Sequence, residues 1–228
     1  MAQALTATPA VPSVERTSPD DVVASFLSSL DSAQHQTAPF DYWLLEDPLP
    51  AGYCEAIAAL PYDPPRDTVF NGRRETNNET RVLFTPQTQM KFPVCQRIVA
   101  GLKDAAVSRA IEQATGTDLS DGHLRIEYCQ DTEGFWLEPH TDIFVKKFTM
   151  LVYLSDEPGL AQAGTNIFEG PPEHKYVGSA PYGKNKGVIF IPAENTWHGM
   201  GQHDFTGLRK SIIINFVTSD WQEKEQLA

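Results

Sequence analysis

Cysteines and long hydrophobic runs are both scarce in this sequence. Its 228 residues include only Cys54, Cys95 and Cys129, which are widely spaced and form no CxxC motif. An odd number at such spacing argues against a disulfide framework and against a zinc knuckle. No window approaches the roughly 18 consecutive apolar residues of a membrane span. The first residues lack the basic start and apolar core of a signal peptide. We therefore expect a cytoplasmic protein with three free thiols.

Basic residues are also in short supply. The chain has 18 Lys and Arg against 30 Asp and Glu, which gives a formal net charge of -12. Nucleic acids and anionic membranes are bound by clustered Lys and Arg, so this balance disfavours both as partners. The hydrophobic fraction of 41% and the aromatic fraction of 10% are ordinary for a globular protein. We therefore expect a folded domain rather than a chain that is disordered throughout.

The first part of the chain predicts a tail followed by a helix. Residues 1–17 are rich in Ala, Thr, Pro and Val without periodicity, which is typical of a flexible tail. Ser18 then precedes Pro19, Asp20 and Asp21. A capping hydroxyl, a proline in the first turn and acidic groups at the positive end of the dipole predict a helix start. We assign residues 1–38 to a flexible tail with one short helix and residues 39–228 to a single domain.

The remaining elements follow an order of helices first and strands second. Helical patterns cover residues 50–60 and 92–114, and strand patterns follow at 124–128, 148–154, 187–191 and 211–217. That order predicts an α+β domain rather than alternating βαβ units. The strand at 148–154 is apolar on both faces, so we expect it to be covered on both sides. Residues 61–90 are rich in turn formers and predict a long excursion, which is often functional.

Two histidines and one aspartate have the spacing of a metal site. His140 and Asp142 are two residues apart, which puts them on the same side of an extended segment. His198 follows the strand pattern at 187–191. Two imidazoles and one carboxylate with open coordination positions form the facial triad of non-haem Fe(II) oxygenases. His-x-Asp alone is a weak signal, and an ordinary polar turn would explain it, but the downstream residues strengthen it.

Arg209 lies 11 residues after His198 and opens the last strand pattern. In extended backbone it shares a face with Ser211, Ile213 and Asn215. A guanidinium and a hydroxyl side by side make a seat for a carboxylate. A buried arginine with no permanent partner would be costly, so we expect a carboxylate ligand to pair with it.

The ordered set of motifs resembles the Fe(II)/2-oxoglutarate-dependent dioxygenase superfamily, and within it the prolyl-4-hydroxylase-like branch. The matching stretch runs from about Leu124 to Val217 and contains LRIEYCQ, EPHTD, KKFTMLVYLSDEP, AGTNIF, KGVIFIPAENTWHG and LRKSIIINF. The sequence departs from the branch at three points: many members have lysine where Arg209 stands, the usual GG turn is Ala163-Gly164 here, and residues Asp131–Leu137 form an insertion before His140.

The resemblance implies a fold, cofactors and roles for residues. The fold would be a double-stranded β-helix, or jelly roll, with the N-terminal helices packed on its major sheet. The cofactors would be Fe(II), the cosubstrate 2-oxoglutarate and O2. The implied catalytic residues are the metal ligands His140, Asp142 and His198 and the anchor Arg209, with cosubstrate contacts from Arg209, Ser211, Tyr153, Tyr128 and Thr149.

The resemblance implies hydroxylation, or another oxidation, of an unactivated C–H bond. We expect the substrate to be a small metabolite because the chain is short, and an anionic one because this acidic protein places three arginines within nine residues. A prolyl-type hydroxylase of protein side chains is one alternative, and a non-oxidative metal-binding module of cupin type is another. The intact pair Arg209 and Ser211 counts against the cupin module, which needs no anchor. The candidate substrate-binding cations are Arg73, Arg74, Arg81 and Lys147. Solvated ion pairs with Glu75 and Glu79 would also account for the arginines. The oligomeric state is left open.

Overall fold

The computed structural model describes residue 14 and residues 17–66, 68–73, 81–202 and 205–228. The helices are α1 (Pro19–Asp31), α2 (Tyr53–Ala58), α3 (Pro86–Lys91), α4 (Pro93–Leu102) and α5 (Ala105–Thr115). The strands are β1 (Gln34–Gln36), β2 (Tyr42–Glu46), β3 (Val82–Leu83), β4 (His123–Asp131), β5 (Leu137–His140), β6 (Lys146–Tyr153), β7 (Asn166–Phe168), β8 (Tyr176–Ser179), β9 (Lys186–Phe190), β10 (His198–Met200) and β11 (Arg209–Val217). Short 3-10 helices span Pro158–Leu160 and Lys224–Gln226.

Among the described residues the strands form two antiparallel sheets. The larger sheet has seven strands in the order β1-β2-β9-β6-β11-β4-β3, and the smaller has four in the order β5-β10-β7-β8. The helices lie on the outer face of the larger sheet, so one core cluster joins α1, α4 and α5 to β4, β6 and β11. The α+β class and the jelly-roll core with helices on the major sheet are confirmed.

Helix α1 begins where the capping signal places it. The backbone N–H of Ser18 donates to the Asp21 carboxylate at 2.7 Å, and Pro19 opens the helix. Val22 and Phe26 are fully buried against the other helices. The helix expected within residues 1–38 is thus part of the main core, while the division of the chain at residue 38 stays a prediction.

Alternation along β11 decides what faces the interior between the sheets. Ile212 and Ile214 pack into the helix-side core, whereas Arg209 and Ile213 line the interior. β6 lies next to β11 and alternates in the same way, with Val152 on the helix side. The central strands are covered on both faces, as the apolar run at 148–154 predicts. Since polar groups reach the interior from several of these strands, the site lies between the two sheets.

No helix among the described residues combines the length and apolar composition needed to cross a bilayer.

Candidate metal centre

His140, Asp142 and His198 meet at the mouth of the jelly roll. Strand β5 ends at His140, and β10 begins at His198, directly opposite it in the antiparallel register. One ligand atom from each of the three residues lies within 4.8 Å of the others. The pairing of two strands that are distant in sequence therefore builds the cluster that the spacing predicts.

Backbone carbonyls fix the orientation of both imidazoles. Nδ1 of His140 lies 2.8 Å from the Glu138 carbonyl oxygen, and Nδ1 of His198 lies 2.9 Å from that of Thr196. A carbonyl accepts only, so each Nδ1 carries the proton and donates it. Each Nε2 then keeps its lone pair for a metal ion. Burial, with a further contribution from His140, lowers the pKa of His198 to about 4, so this ring is neutral at physiological pH.

The Asp142 carboxylate is held through both of its oxygens. Oδ1 accepts from Lys146 Nζ at 2.5 Å, and Oδ2 accepts from Thr149 Oγ1 at 2.7 Å. Asn215 in turn donates to Thr149 Oγ1 at 2.8 Å. Supporting hydrogen bonds of this kind orient metal-ligating carboxylates. Two imidazoles oriented through Nδ1 and one positioned carboxylate match the donor set of a facial triad for Fe(II).

Gly199 allows the two histidine-bearing strands to approach closely. A Cβ at this position would lie 2.7 Å from the Leu137 carbonyl oxygen on β5. Such a contact is shorter than real side chains tolerate, so any other residue would push β10 away from β5. The residue after His198 therefore sets the separation of the two imidazoles.

The cluster borders an interior cavity of about 60 Å³. Apolar groups such as Leu137, Leu151 and Ile213 contribute to its wall. The polar lining beyond the cluster comes from Arg81, Cys129, Asp131, Lys146, Thr149, Thr165 and Arg209. The cavity thus carries both metal-binding groups and buried guanidinium groups.

Arg209 is buried, as predicted, but it has a permanent protein partner. Its Nη1 donates to Asp131 Oδ2 at 2.5 Å, and its Nε donates to the Ala163 carbonyl at 2.8 Å. Asp131 lies opposite Arg209 across β4 and β11. The premise that this arginine has no permanent partner is therefore wrong, while its contact with a ligand carboxylate stays a prediction. Ser211 lies 3.5 Å from Arg209 Nη1 and is fully buried, but the cavity lining does not include it.

The two strand tyrosines differ in their orientation. Tyr153 faces the interior, with its ring 5.6 Å from the Arg209 guanidinium carbon, and its hydroxyl both donates to Thr165 Oγ1 and accepts from Thr165 N. Tyr128 instead packs among the helices. The expected cosubstrate contact from Tyr128 is wrong because alternation on β4 turns Cys129 and Asp131 inward. Thr149 lies in the cavity lining, as the cosubstrate role requires.

A β-bulge reverses the expected roles of two adjacent lysines. Phe216 pairs with Phe148, but Val217 pairs with Lys146, so Lys147 is the extra residue. Lys147 consequently points away from the cavity and forms an ion pair with Asp121. The expectation that Lys147 approaches the substrate is wrong. Lys146 takes the inward position and contacts Asp142 instead.

The three candidate arginines of the long excursion have different locations. Arg81 is buried and lines the cavity, with Nη1 2.9 Å from Cys129 Sγ and 3.4 Å from Glu127 Oε1. Arg73 is exposed, and the cavity lining does not include it. Arg74 lies outside the described residues, as do Glu75 and Glu79. Of the two candidates that the structure describes, Arg81 has the geometry that fits a role near the metal cluster.

Sequence reasoning missed Asp131 and Lys146. Asp131 points to the same side of β4 as Cys129, towards the interior. Its pairing with Arg209, however, depends on the register between β4 and β11. Lys146 points towards Asp142 only because of the bulge, so its role could not be recognised without knowing how the strands pair. Its spacing of four residues from Asp142 gives no signal in a segment that is not helical.

Comparison with known proteins shows the fold. No protein-family model matches the sequence, and no curated protein matches it either. Among solved structures, a Pseudomonas putida prolyl-4-hydroxylase is 14% identical with a TM-score of 0.54, covering 86% of this chain and 98% of its own. A prolyl 4-hydroxylase from Phytophthora capsici is 14% identical with a TM-score of 0.56, covering 95% and 72% respectively.

A third solved structure has a different chemistry. SnoN, a non-haem α-ketoglutarate-dependent epimerase from nogalamycin biosynthesis, is 15% identical with a TM-score of 0.51, covering 86% of this chain and 83% of its own. The chain therefore has the fold of the 2-oxoglutarate oxygenases. Within that class, its fold is similar to that of the prolyl-4-hydroxylase-like branch.

Proposed function

We propose that this chain is an Fe(II)- and 2-oxoglutarate-dependent oxygenase that hydroxylates a C–H bond of a small, anionic metabolite. The observation that carries the proposal is the cluster of His140, Asp142 and His198, in which a backbone carbonyl orients each imidazole through Nδ1. The fold shared with 2-oxoglutarate oxygenases supports the same reaction class.

The residues divide into three tasks. His140, Asp142 and His198 would hold Fe(II), while Thr149 keeps the Asp142 carboxylate in place. Arg209 would bind a cosubstrate carboxylate. Bound Fe(II) with 2-oxoglutarate and O2 supplies an oxidant strong enough to break an unactivated C–H bond. Apolar side chains such as Leu151 and Ile213 limit water in the cavity beside the cluster.

The fit of 2-oxoglutarate depends on charge. A dianion requires buried cations, and two guanidinium groups, Arg81 and Arg209, line the cavity. Each already shares its charge with a carboxylate, Glu127 for Arg81 and Asp131 for Arg209. The cosubstrate would therefore compete with Asp131 for the guanidinium group of Arg209. An arginine that already has a carboxylate partner would bind the cosubstrate more weakly than an unpaired arginine would.

Metal and cosubstrate assays test this proposal together. The purified chain should bind one Fe(II) and convert 2-oxoglutarate to succinate in the presence of O2, with turnover rising when the true substrate is added. Arg209→Ala should abolish saturable binding of 2-oxoglutarate and leave Fe(II) binding near the wild-type level. A chain that binds Fe(II) through other residues, or that never releases succinate across a broad substrate screen, would contradict the proposal.

A protein side chain is the second candidate substrate. Two structures of similar fold are prolyl hydroxylases. Ile143 and Phe144 directly follow Asp142 and are 57% and 80% exposed, which would suit an apolar peptide segment. Succinate release that is stimulated by proline-containing peptides, and not by small carboxylates, would favour this candidate.

A further inference from the structure

A second pocket lies beside the metal cluster and is larger than the interior cavity. Its volume is about 480 Å³, and His140 and Asp142 line both spaces. Arg81 also borders both. The second pocket therefore opens onto the metal cluster from another side, where a substrate can approach the metal ligands while the interior cavity holds the cosubstrate.

Three buried donors on residues that line this pocket form no hydrogen bond within the described part of the chain, although one of them, Nη1 of Arg125, lies 3.2 Å from Glu127 Oε1 in an ion pair. They are Nε of Arg81, Nη1 of Arg125 and Nε1 of Trp221. The side chains of Arg81 and Arg125 are 7% and 8% exposed, and Trp221 is 8% exposed. Buried polar groups in folded proteins nearly always have a partner, so the donors of Arg81 and Trp221, with Nη1 of Arg125 held only by an ion pair, indicate a missing acceptor.

The other contacts of these side chains hold them in place. Arg125 donates through Nε to Gln226 Oε1 at 2.9 Å and through Nη2 to Glu127 Oε2 at 3.2 Å. The guanidinium carbon of Arg125 lies 4.9 Å from the centre of the Trp221 ring. These contacts leave little rotamer freedom, so the donors are preorganised for a ligand.

The charge of the lining favours a monoanion over a dianion. Described cationic and anionic side chains occur in equal numbers: Arg81, Arg125 and Lys146 against Glu127, Asp142 and Glu223. A phosphate group, with a charge of about -1.5 to -2, would be poorly neutralised here. A carboxylate carries one charge and accepts from several donors at once. The pocket also has an apolar part at Leu83 and Ile143.

We propose that this pocket is the substrate subsite and that Arg81, Arg125 and Trp221 bind the carboxylate of a substrate with an apolar body. The inference rests on the proposed function for its connection to turnover, but the binding site stands on its own geometry. Holding the carboxylate at these donors would place the rest of the substrate beside His140 and Asp142, where C–H oxidation takes place. The three residues select and position the substrate.

Nuclear magnetic resonance of the indole N–H groups tests the pocket without requiring turnover. The chain has four tryptophans, so Trp221→Phe identifies the Trp221 signal by its loss. The full chain, both metal-free and loaded with Zn(II) and 2-oxoglutarate, is titrated with 3-phenylpropanoate, with its neutral amide 3-phenylpropanamide, and with inorganic phosphate. We expect the carboxylate to shift the Trp221 signal saturably and to bind at least tenfold more tightly than the amide.

Variants then identify the donors. Arg81→Gln and Arg125→Gln should each weaken carboxylate binding at least tenfold, whereas Arg109→Gln removes an exposed cation on α5 and should match the wild type. Trp43→Phe serves as the matched control for Trp221→Phe, because Trp43 lies on β2. Should an arginine variant fail to fold, the comparison of carboxylate with amide on the wild-type chain still decides the question.

Each remaining outcome bears on one of the two proposals. Equal shifts by carboxylate and amide, no shift by either, or binding of phosphate alone would overturn the carboxylate subsite. Succinate release without any Trp221 response would overturn the subsite and leave the proposed function standing. A specific Trp221 response in a chain that never consumes 2-oxoglutarate would do the reverse.

Discussion

Replacing Asp131 by asparagine removes one charge of the buried pair that Asp131 forms with Arg209. The Nη1 to Oδ2 distance is 2.5 Å, and the two side chains are 5% and 3% exposed. Asparagine preserves the size of the side chain, so the change leaves a buried guanidinium with less compensation. Loss of one partner of such a pair typically costs about 3–5 kcal/mol. At about 2–4 °C per kcal/mol for a chain of this size, the unfolding midpoint should fall by roughly 6–20 °C.

The matched control is Asp121→Asn. Asp121 forms an ion pair with Lys147 at the surface, where its side chain is 56% exposed. Solvent screens such a pair, so the unfolding midpoint should not change measurably. Thermal unfolding followed by circular dichroism, at one protein concentration and one ionic strength, compares the two variants directly. The double variant Asp131→Asn, Arg209→Met should be more stable than the sum of the single effects predicts, because neither buried charge remains.

The same substitution should act on cosubstrate binding in the opposite direction. Without the Asp131 carboxylate, the cosubstrate carboxylate has no competitor for the guanidinium group of Arg209. 2-Oxoglutarate should therefore bind on the order of tenfold more tightly. Anaerobic calorimetry at a temperature below both unfolding transitions measures this change. Wild-type stability together with an unchanged dissociation constant would show that Asp131 neither pairs with Arg209 in solution nor limits the anchor.

Three further predictions follow from the cluster. His140→Ala and His198→Ala should each reduce metal content to background by elemental analysis, and full occupancy in the double variant would refute the ligand assignment. In the metal-free protein, the lowered pKa of His198 makes stability greatest above about pH 6.5. Roughly 3 kcal/mol of the free energy of unfolding should be lost as the pH falls towards about 4. Denaturant titrations should find a weaker dependence on pH in His198→Gln. Thr149→Val should weaken metal binding about tenfold by freeing one carboxylate oxygen, while Lys147→Met should leave the metal dissociation constant unchanged.

Residue spacing predicted those features that depend on a single strand. Alternation along β11 correctly put Arg209 and Ile213 on one face, which lines the interior, while Ile212 and Ile214 pack on the helix side. His140 and Asp142 came together because an interval of two residues returns to the same side of extended backbone. Features of this kind need no knowledge of neighbouring strands.

The predictions for Lys147 and for the partner of Arg209 depended on relations between strands. Lys147 shares simple parity with Thr149, but the bulge opposite Phe216 and Val217 shifts that parity by one residue. The partnership of Asp131 with Arg209 arises from the register of two strands that lie far apart in the sequence. Register and bulges are set by packing on the helices and by turns, so periodicity in one segment cannot reveal them.

Gly199 is essential to the geometry of this site although it supplies no ligand atom. The close approach of β10 to β5 requires that no Cβ be present, because it would lie 2.7 Å from a carbonyl oxygen. The donor atoms of the centre and the distance between them are therefore determined by different residues. A designer who transplants His140, Asp142 and His198 into another scaffold without the glycine would copy the donors and lose the distance between them. Conversely, graded substitutions at Gly199 offer a means of adjusting that distance while every donor atom stays the same.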